Sequence, residues 1–330
     1  MAEQFKEQGG VATMDPSHLT RWLTSRLMTR ISRPAAVAAR HLKVEQLRAK
    51  SGAPHRVDYF HQVDEGYSHL SAQLLKRLNE RYDIELHCHL VAGQAGKNAP
   101  EPELLASLAR KDSHLIAPGY GLVFPDHPEA PKAQQVELAT RILAAQSAAE
   151  FSQLAQVVGD ALWRGDGATL ERLAAAHGSV AADVAAAVVE AGTAKRAELK
   201  HYSGAMFYYG GEWYWGVDRL YHLESRLAAL GADKHPGDPL IAPRPTLDLA
   251  GHRDRGSFTL ELYASLRSPY TAVIFDRAVA FAEQAGVTLN LRPVLPMVMR
   301  GVPATREKGM YIFMDAAREA RAAGVPYGNF

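Results

Sequence analysis

Short apolar runs separated by amphipathic stretches make up most of this chain, and one such pattern occurs twice. VDYFHQVDEGYSHLSAQLLKRLNERYDIELHCHLV, from Val57, aligns without a gap on LELYASLRSPYTAVIFDRAVAFAEQAGVTLNLRPV, from Leu260, so that Tyr270 stands 203 positions after Tyr67. Each copy opens on an apolar strand, turns at a Tyr-containing corner, continues with helical spacing and closes on a second strand. In that second strand Ile84, Leu86, Cys88 and Leu90 fall opposite Val287, Leu289, Leu291 and Pro293. The apolar period changes from two to about 3.6 and back. A strand, helix and strand of this length predict a βαβ crossover joining two parallel strands.

The intervening sequence predicts how the first copy is completed. Residues 100–200 carry helical spacing in ELATRILAAQSAAEFSQLAQVVGDALW and ATLERLAAAH, a helical insertion. AMFYYGGEWYWG reads as two short aromatic strands joined at Gly210-Gly211, the residues a two-residue hairpin turn demands. VDRLYHLESRLAALG reads as a helix stopped at Gly231. The expected organisation is a basic helical extension over 1–55, an α/β domain over 56–231, a Pro- and Gly-rich linker over 232–255, and a second domain over 256–330. Adding 203 to Ala205 places the second copy's hairpin near position 408, so the second domain is expected to be incomplete within the sequence given.

Composition narrows the chemistry. With 330 residues, 47% of them hydrophobic, the chain has enough apolar residues for one large or two medium cores. Its 37 basic and 36 acidic side chains nearly cancel, leaving no global field to attract nucleic acid or an anionic membrane. The apolar runs are too short to span a bilayer. Cys88 is the single cysteine, which excludes an intrachain disulfide and a dithiol redox pair, and fits a reducing, cytoplasmic location. No metal is expected: His87 and His89 of HCH point to one face of a strand and Cys88 to the other. The motifs AGQAGK and FYYGGEWYW lack the spacing or the basic groove of phosphate or nucleic-acid sites.

The motifs Ser268-Pro269-Tyr270, Arg292-Pro293, and Lys308, Tyr311, Asp315 and Arg318 ahead of Gly324-Val325-Pro326 resemble the DsbA-like thioredoxin superfamily. Within it the resemblance is to the branch of 2-hydroxychromene-2-carboxylate isomerases and kappa-class glutathione transferases. GGEWYWGVDRLYHLE, with Gly216, Asp218 and Arg219, is similar to that family's closing hairpin and helix start. The resemblance covers most of residues 56–330. It implies tandem thioredoxin-like domains with helical insertions, and the order βαβ, helical insert, ββα in the first.

Redox members of the superfamily place Cys-x-x-Cys where the first strand meets the first helix, whose N-terminus stabilises a thiolate. Here those positions hold Glu65 and Ser68 in the first copy, and Ser268 and Thr271 in the second, which excludes thiol redox chemistry at either corner. In the isomerase and transferase branch a serine at the first position donates a hydrogen bond to the sulfur of bound glutathione. The resemblance therefore implies Ser268 as the catalytic residue and Pro269, Tyr270, Asp218 and Arg219 as glutathione-binding residues. The local sequence offers a plainer reading: Ser268 as N-cap and Pro269 at the first helical position. Glu65 reads as a solvated residue at a helix start or as a general base, and Tyr67 and Tyr270 as packing residues. A further departure is Gly204-Ala205 where the family has a cis-proline, which predicts an ordinary trans bond.

Two functional expectations follow. One is a glutathione-dependent isomerase or transferase acting on a small, aromatic substrate through Ser268, with homo-oligomerisation open. The other is a degenerate tandem that binds a ligand or partner without catalysis; a third reading, a disulfide oxidoreductase by fold similarity, fails on the cysteine count unless Cys88 acts alone.

Overall fold

The computed structural model describes residues 17–126, 129–249, 251–296 and 305–328. The chain divides into a central unit, His41–Ala95 with Glu101–Pro245, and a terminal unit, Met1–Arg40 with Gly96–Pro100 and Thr246–Phe330. The basic N-terminal stretch forms two helices, α1 (His18–Ser32) and α2 (Pro34–Ser51). Pro34 sits at the start of α2, where its missing N–H breaks no intrahelical bond. Among the described residues no single helix is long and apolar enough to cross a bilayer.

In the central unit, β1 (Arg56–His61) is buried at every position but its first, so both of its faces are covered. Helix α3 (Gly66–Arg81) follows and buries Leu70, Leu74, Leu75 and Leu78, the i, i+4, i+5, i+8 stripe of an amphipathic helix. The chain then returns as β2 (Glu85–Leu90), parallel to β1 with Val57 opposite Leu86.

The helical insertion is α4 (Pro102–Ile116), α5 (Ala133–Ala144), α6 (Ala148–Trp163), α7 (Gly167–His177) and α8 (Ala182–Glu198). Helix α6 opens on a capping box between Ser147 and Glu150 and buries Phe151, Leu154, Ala155, Val158 and Leu162. Helix α8 is seated on the end of β2. Thr193 Oγ1 accepts the Ala92 N–H at 2.9 Å, and Gly192 lies so close to the Leu90 carbonyl that a Cβ there would overlap it.

The hairpin β3 (Met206–Tyr209) and β4 (Glu212–Trp215) then adds to the far edge of β1. Its turn is Gly210-Gly211, both with left-handed φ (52° and 85°), as a primed turn requires. Helix α9 (Gly216–Ala229) closes the unit, and the Ala232 N–H turns back to the Leu227 carbonyl past Gly231. The sheet order is β2-β1-β3-β4, with β3 antiparallel to β1 and to β4. This is a thioredoxin-like α/β fold carrying its helical insertion between the βαβ and ββα halves, as the resemblance implied.

The terminal unit holds β5 (Thr259–Leu262), α10 (Pro269–Ala285), β6 (Thr288–Leu291) and α11 (Arg306–Ala322), together with α1. Strands β5 and β6 are parallel, with Leu260 opposite Leu289, each 203 positions after Val57 and Leu86. The same interval relates the exits of the strands: Val91 N–H bonds the His61 carbonyl, and Val294 N–H bonds that of Ala264, both at 2.9 Å. It also reaches past the aligned stretch. Leu122 N–H bonds Ala117 O at 2.9 Å after the left-handed Gly121, and Val325 N–H bonds Ala320 O at 2.8 Å after the left-handed Gly324. One expectation is corrected in detail: the strand before Ser268 ends at Leu262, and Tyr263–Arg267 form the corner instead. Among the described residues the terminal unit's sheet has two strands.

Candidate functional site

Where β1 meets α3, Glu65 occupies the position that carries the reactive cysteine in redox thioredoxin folds. It is the N-cap of α3, and its Oε2 accepts the Ser68 N–H at 2.7 Å. The solvated glutamate expected from the sequence is therefore corrected, because the side chain is partly buried and engaged. Burial raises its carboxyl to about 7 even though the Ser68 bonds oppose the shift. A carboxyl in that range can hold or release a proton near neutrality.

Ser68 ties the corner to the loop before β3. Its Oγ accepts the Gln62 N–H at 3.1 Å and the Ala205 N–H at 3.0 Å, and the residue is fully buried. Beneath it the Tyr59 hydroxyl donates to the Ser68 carbonyl at 2.9 Å and lies 3.0 Å from His61 Nδ1. Burial, with His69 as neighbour, lowers His61 to about 3, so this ring is neutral. Among the described residues no peptide bond is cis, as Gly204-Ala205 led us to expect, but Ala205 takes a left-handed φ of 52°. Gly204 packs where a Cβ would come within 2.8 Å of the Gln62 Cβ. The loop reaches the corner through backbone strain and close approach, without a proline.

The terminal unit's corner differs. Ser268 is the N-cap of the 17-residue α10 with Pro269 in the first turn, yet its hydroxyl makes no capping bond. The cap reading holds for the backbone, with Ser268 at the N-cap and Pro269 in the first turn, but the Oγ makes no capping bond. Tyr270, two residues on, donates its hydroxyl to Asp315 Oδ2 at 2.7 Å, and Tyr67 does the same to Asp112 Oδ2 at 2.8 Å. The residues alone suggested packing for both tyrosines, and the resemblance implied glutathione binding for Tyr270. Their phenols instead fasten each corner to the helix that follows the βαβ unit, α11 and α4.

The five residues given by the resemblance do not converge within one unit. Ser268, Pro269 and Tyr270 belong to the terminal unit, while Asp218 and Arg219 belong to the first turn of α9 in the central unit. Asp218 Oδ1 accepts the Tyr120 hydroxyl at 2.9 Å. Sequence reasoning also missed a cross-strand pair on the first strand of each unit. Asp58 Oδ1 meets His89 Nε2 at 2.7 Å, and Glu261 Oε1 meets Arg292 Nη2 at 2.7 Å. An acid on the first strand and a basic side-chain type 31 positions later on the second, repeated in both copies at the interval of 203, was the signal that could have revealed both. His87 meets Glu85 Oε1 at 2.8 Å, so each histidine of HCH lies against a carboxylate. Burial and the nearby Asp58 raise the Cys88 thiol well above its ordinary range, leaving it a poor nucleophile.

No family model matches this chain, and no match was found among curated proteins. Among solved structures it is similar to a 2-hydroxychromene-2-carboxylate isomerase, at 20% identity and a TM-score of 0.41, over 53% of this chain and 96% of that one. It is also similar to a probable DsbA oxidoreductase from Streptomyces coelicolor, at 12% identity and a TM-score of 0.40, over 56% and 94% of the two chains.

Proposed function

We propose that the protein acts on a small conjugated substrate through a ligand-borne thiol, as a glutathione-dependent isomerase or transferase, with the Ser268 corner as the thiol's seat. The observation that carries this reading is the Ser268 hydroxyl, placed at the head of α10 and not used to cap it. A bound glutathione supplies the sulfur nucleophile for such chemistry. Ser268 donates a hydrogen bond to that anion, and the N-terminus of α10 favours negative charge by about 0.3–2 kcal/mol. Pro269 removes one competing N–H from the first turn, and Asp315 holds Tyr270 at the corner. Of the expected glutathione contacts, the Ser268 corner suits the thiol; Asp218 stands in the other unit and is engaged by Tyr120.

A second reading, binding without catalysis, is favoured by the central unit. Its corner holds a carboxyl in place of a hydroxyl, and Ser68 is committed to two backbone N–H groups. A carboxylate at Glu65 repels a thiolate at the same corner.

Calorimetric titration with reduced glutathione, together with the ultraviolet absorbance of bound thiolate against pH, separates the readings. Binding whose thiol titrates at least about one pH unit lower than free glutathione, and reverts in Ser268→Ala, supports the first; one unit corresponds to about 1.4 kcal/mol. Heatless titration, or a thiol titration unchanged by Ser268→Ala, overturns it and leaves the second.

A further inference from the structure

We infer that the edge of β5 away from β6 is a docking surface for an antiparallel strand–strand–helix segment with aromatic strands, the kind of segment that covers β1 in the central unit. This does not depend on the Ser268 reading.

Strand β1 has neighbours on both sides, β2 and β3, whereas β5 pairs with β6 alone among the described residues. The carbonyls of Phe258, Leu262 and Ala264 are turned to the β6 side, where they accept the N–H groups of Thr288, Arg292 and Val294. By the alternation of a strand, the backbone groups of Glu261 and Tyr263 face the other edge. Their counterparts 203 positions earlier, Asp58 and Phe60, are the residues that pair with Tyr208 and Met206 of β3.

Side chains tell the same story, one for each element that covers β1 in the central unit. His55, 8% exposed, lies 2.6 Å from the Tyr209 hydroxyl at the end of β3; its counterpart Phe258 is 70% exposed. Phe60, fully buried, packs on Trp213 of β4 with ring centroids 5.2 Å apart; its counterpart Tyr263 is 63% exposed. Ser71, fully buried, lies beside Gly216 at the head of α9; its counterpart Ile274 is 43% exposed. Three bare apolar side chains thus mark the places where β3, β4 and α9 would lie. An unpaired edge flanked by exposed apolar residues is a template for strand addition. A second copy of the chain fits less well, because its β5 would bring β6 parallel to it, whereas the cover seen in the central unit is an antiparallel pair.

The test is hydrogen exchange on the full chain, with and without an excess of a synthetic peptide spanning residues 204–231 of this protein. The docking proposal expects the Glu261 and Tyr263 amides to slow by roughly tenfold or more with the peptide. It also expects no slowing of either amide with the peptide carrying Tyr208→Pro, which removes an N–H that faces β1 in the central unit, and no slowing of the Glu261 amide in the Tyr263→Pro chain, whose lost N–H lies on the edge away from β6. Unchanged exchange at both amides in the presence of the peptide overturns it. So does a chain that sediments as a dimer with both amides already protected, which assigns the edge to a second copy.

Discussion

The Tyr270 hydroxyl donates to Asp315 Oδ2 at 2.7 Å across 45 residues of chain, and Asp315 is 2% exposed. The bond joins the first turn of α10 to the middle of α11, and Arg318 Nη2 meets the other carboxylate oxygen at 2.6 Å. Tyr67 and Asp112 make the same link in the central unit, but there the carboxylate is only partly buried.

Replacing either tyrosine by phenylalanine keeps the ring and deletes the donor. For Tyr270→Phe we expect a loss of about 1.5–3 kcal/mol, because a charged acceptor stays buried with one partner fewer. Tyr67→Phe should cost about 1 kcal/mol, since water can reach Asp112. Urea unfolding of the two variants, followed by tryptophan fluorescence and circular dichroism, measures both. An equal cost would show that burial of the acceptor does not set the energy.

The pH dependence of stability has two opposed contributions. Glu65 has its folded carboxyl raised from the ordinary value of 4.5 to about 7, so the native state binds more protons than the unfolded state between those values. Its contribution is present below about 4.5 and is lost as pH rises to about 7, by an amount on the order of 2 kcal/mol after allowance for partial exposure. Asp58 runs the other way. Burial alone would raise it, but hydrogen bonds from His89 and Arg56 hold it at about 2, so its contribution exists above 3.8 and is lost as pH falls towards 2. Glu65→Gln should therefore be more stable than the parent at pH 8 and equal to it at pH 4. Chemical unfolding at the two pH values checks this, and a constant difference between the proteins would contradict the raised carboxyl.

Two serines in corresponding corners should respond differently to alanine. Ser68→Ala leaves the Gln62 and Ala205 N–H groups without their buried acceptor, at about 2–4 kcal/mol. Ser268→Ala removes no capping bond and should change stability by less than about 0.5 kcal/mol. Melting temperatures of the pair decide it. A large loss in Ser268→Ala would restore the cap as that residue's role.

Much of the fold was legible because it rests on local pattern. The change of apolar period around Tyr67 and Tyr270, the Gly210-Gly211 turn and the stop at Gly231 are each written in a few adjacent residues. The candidate corners were legible only in position. Whether Ser268 caps α10 depends on a side-chain rotamer, and whether Glu65 is solvated depends on Ser68 and the loop at Gly204-Ala205, about 140 residues further along the chain. The Tyr–Asp links also escaped the sequence, since 45 residues separate partners whose approach is fixed by helices packing on a sheet. The exposure of Phe258, Tyr263 and Ile274 had no local signature at all: it is a property of what lies beside β5.

Gly192 gives the helical insertion a mechanical meaning. Because α8 touches the Leu90 carbonyl at a residue with no side chain, the distance between insertion and sheet is set by backbone against backbone, with no flexible group to act as a cushion. Any larger residue at 192 must lift the helix, and lifting it draws Thr193 away from the Ala92 N–H. The insertion therefore behaves less like a hinged lid than like a keystone: it should resist tilting, and yield only when the end of β2 yields with it.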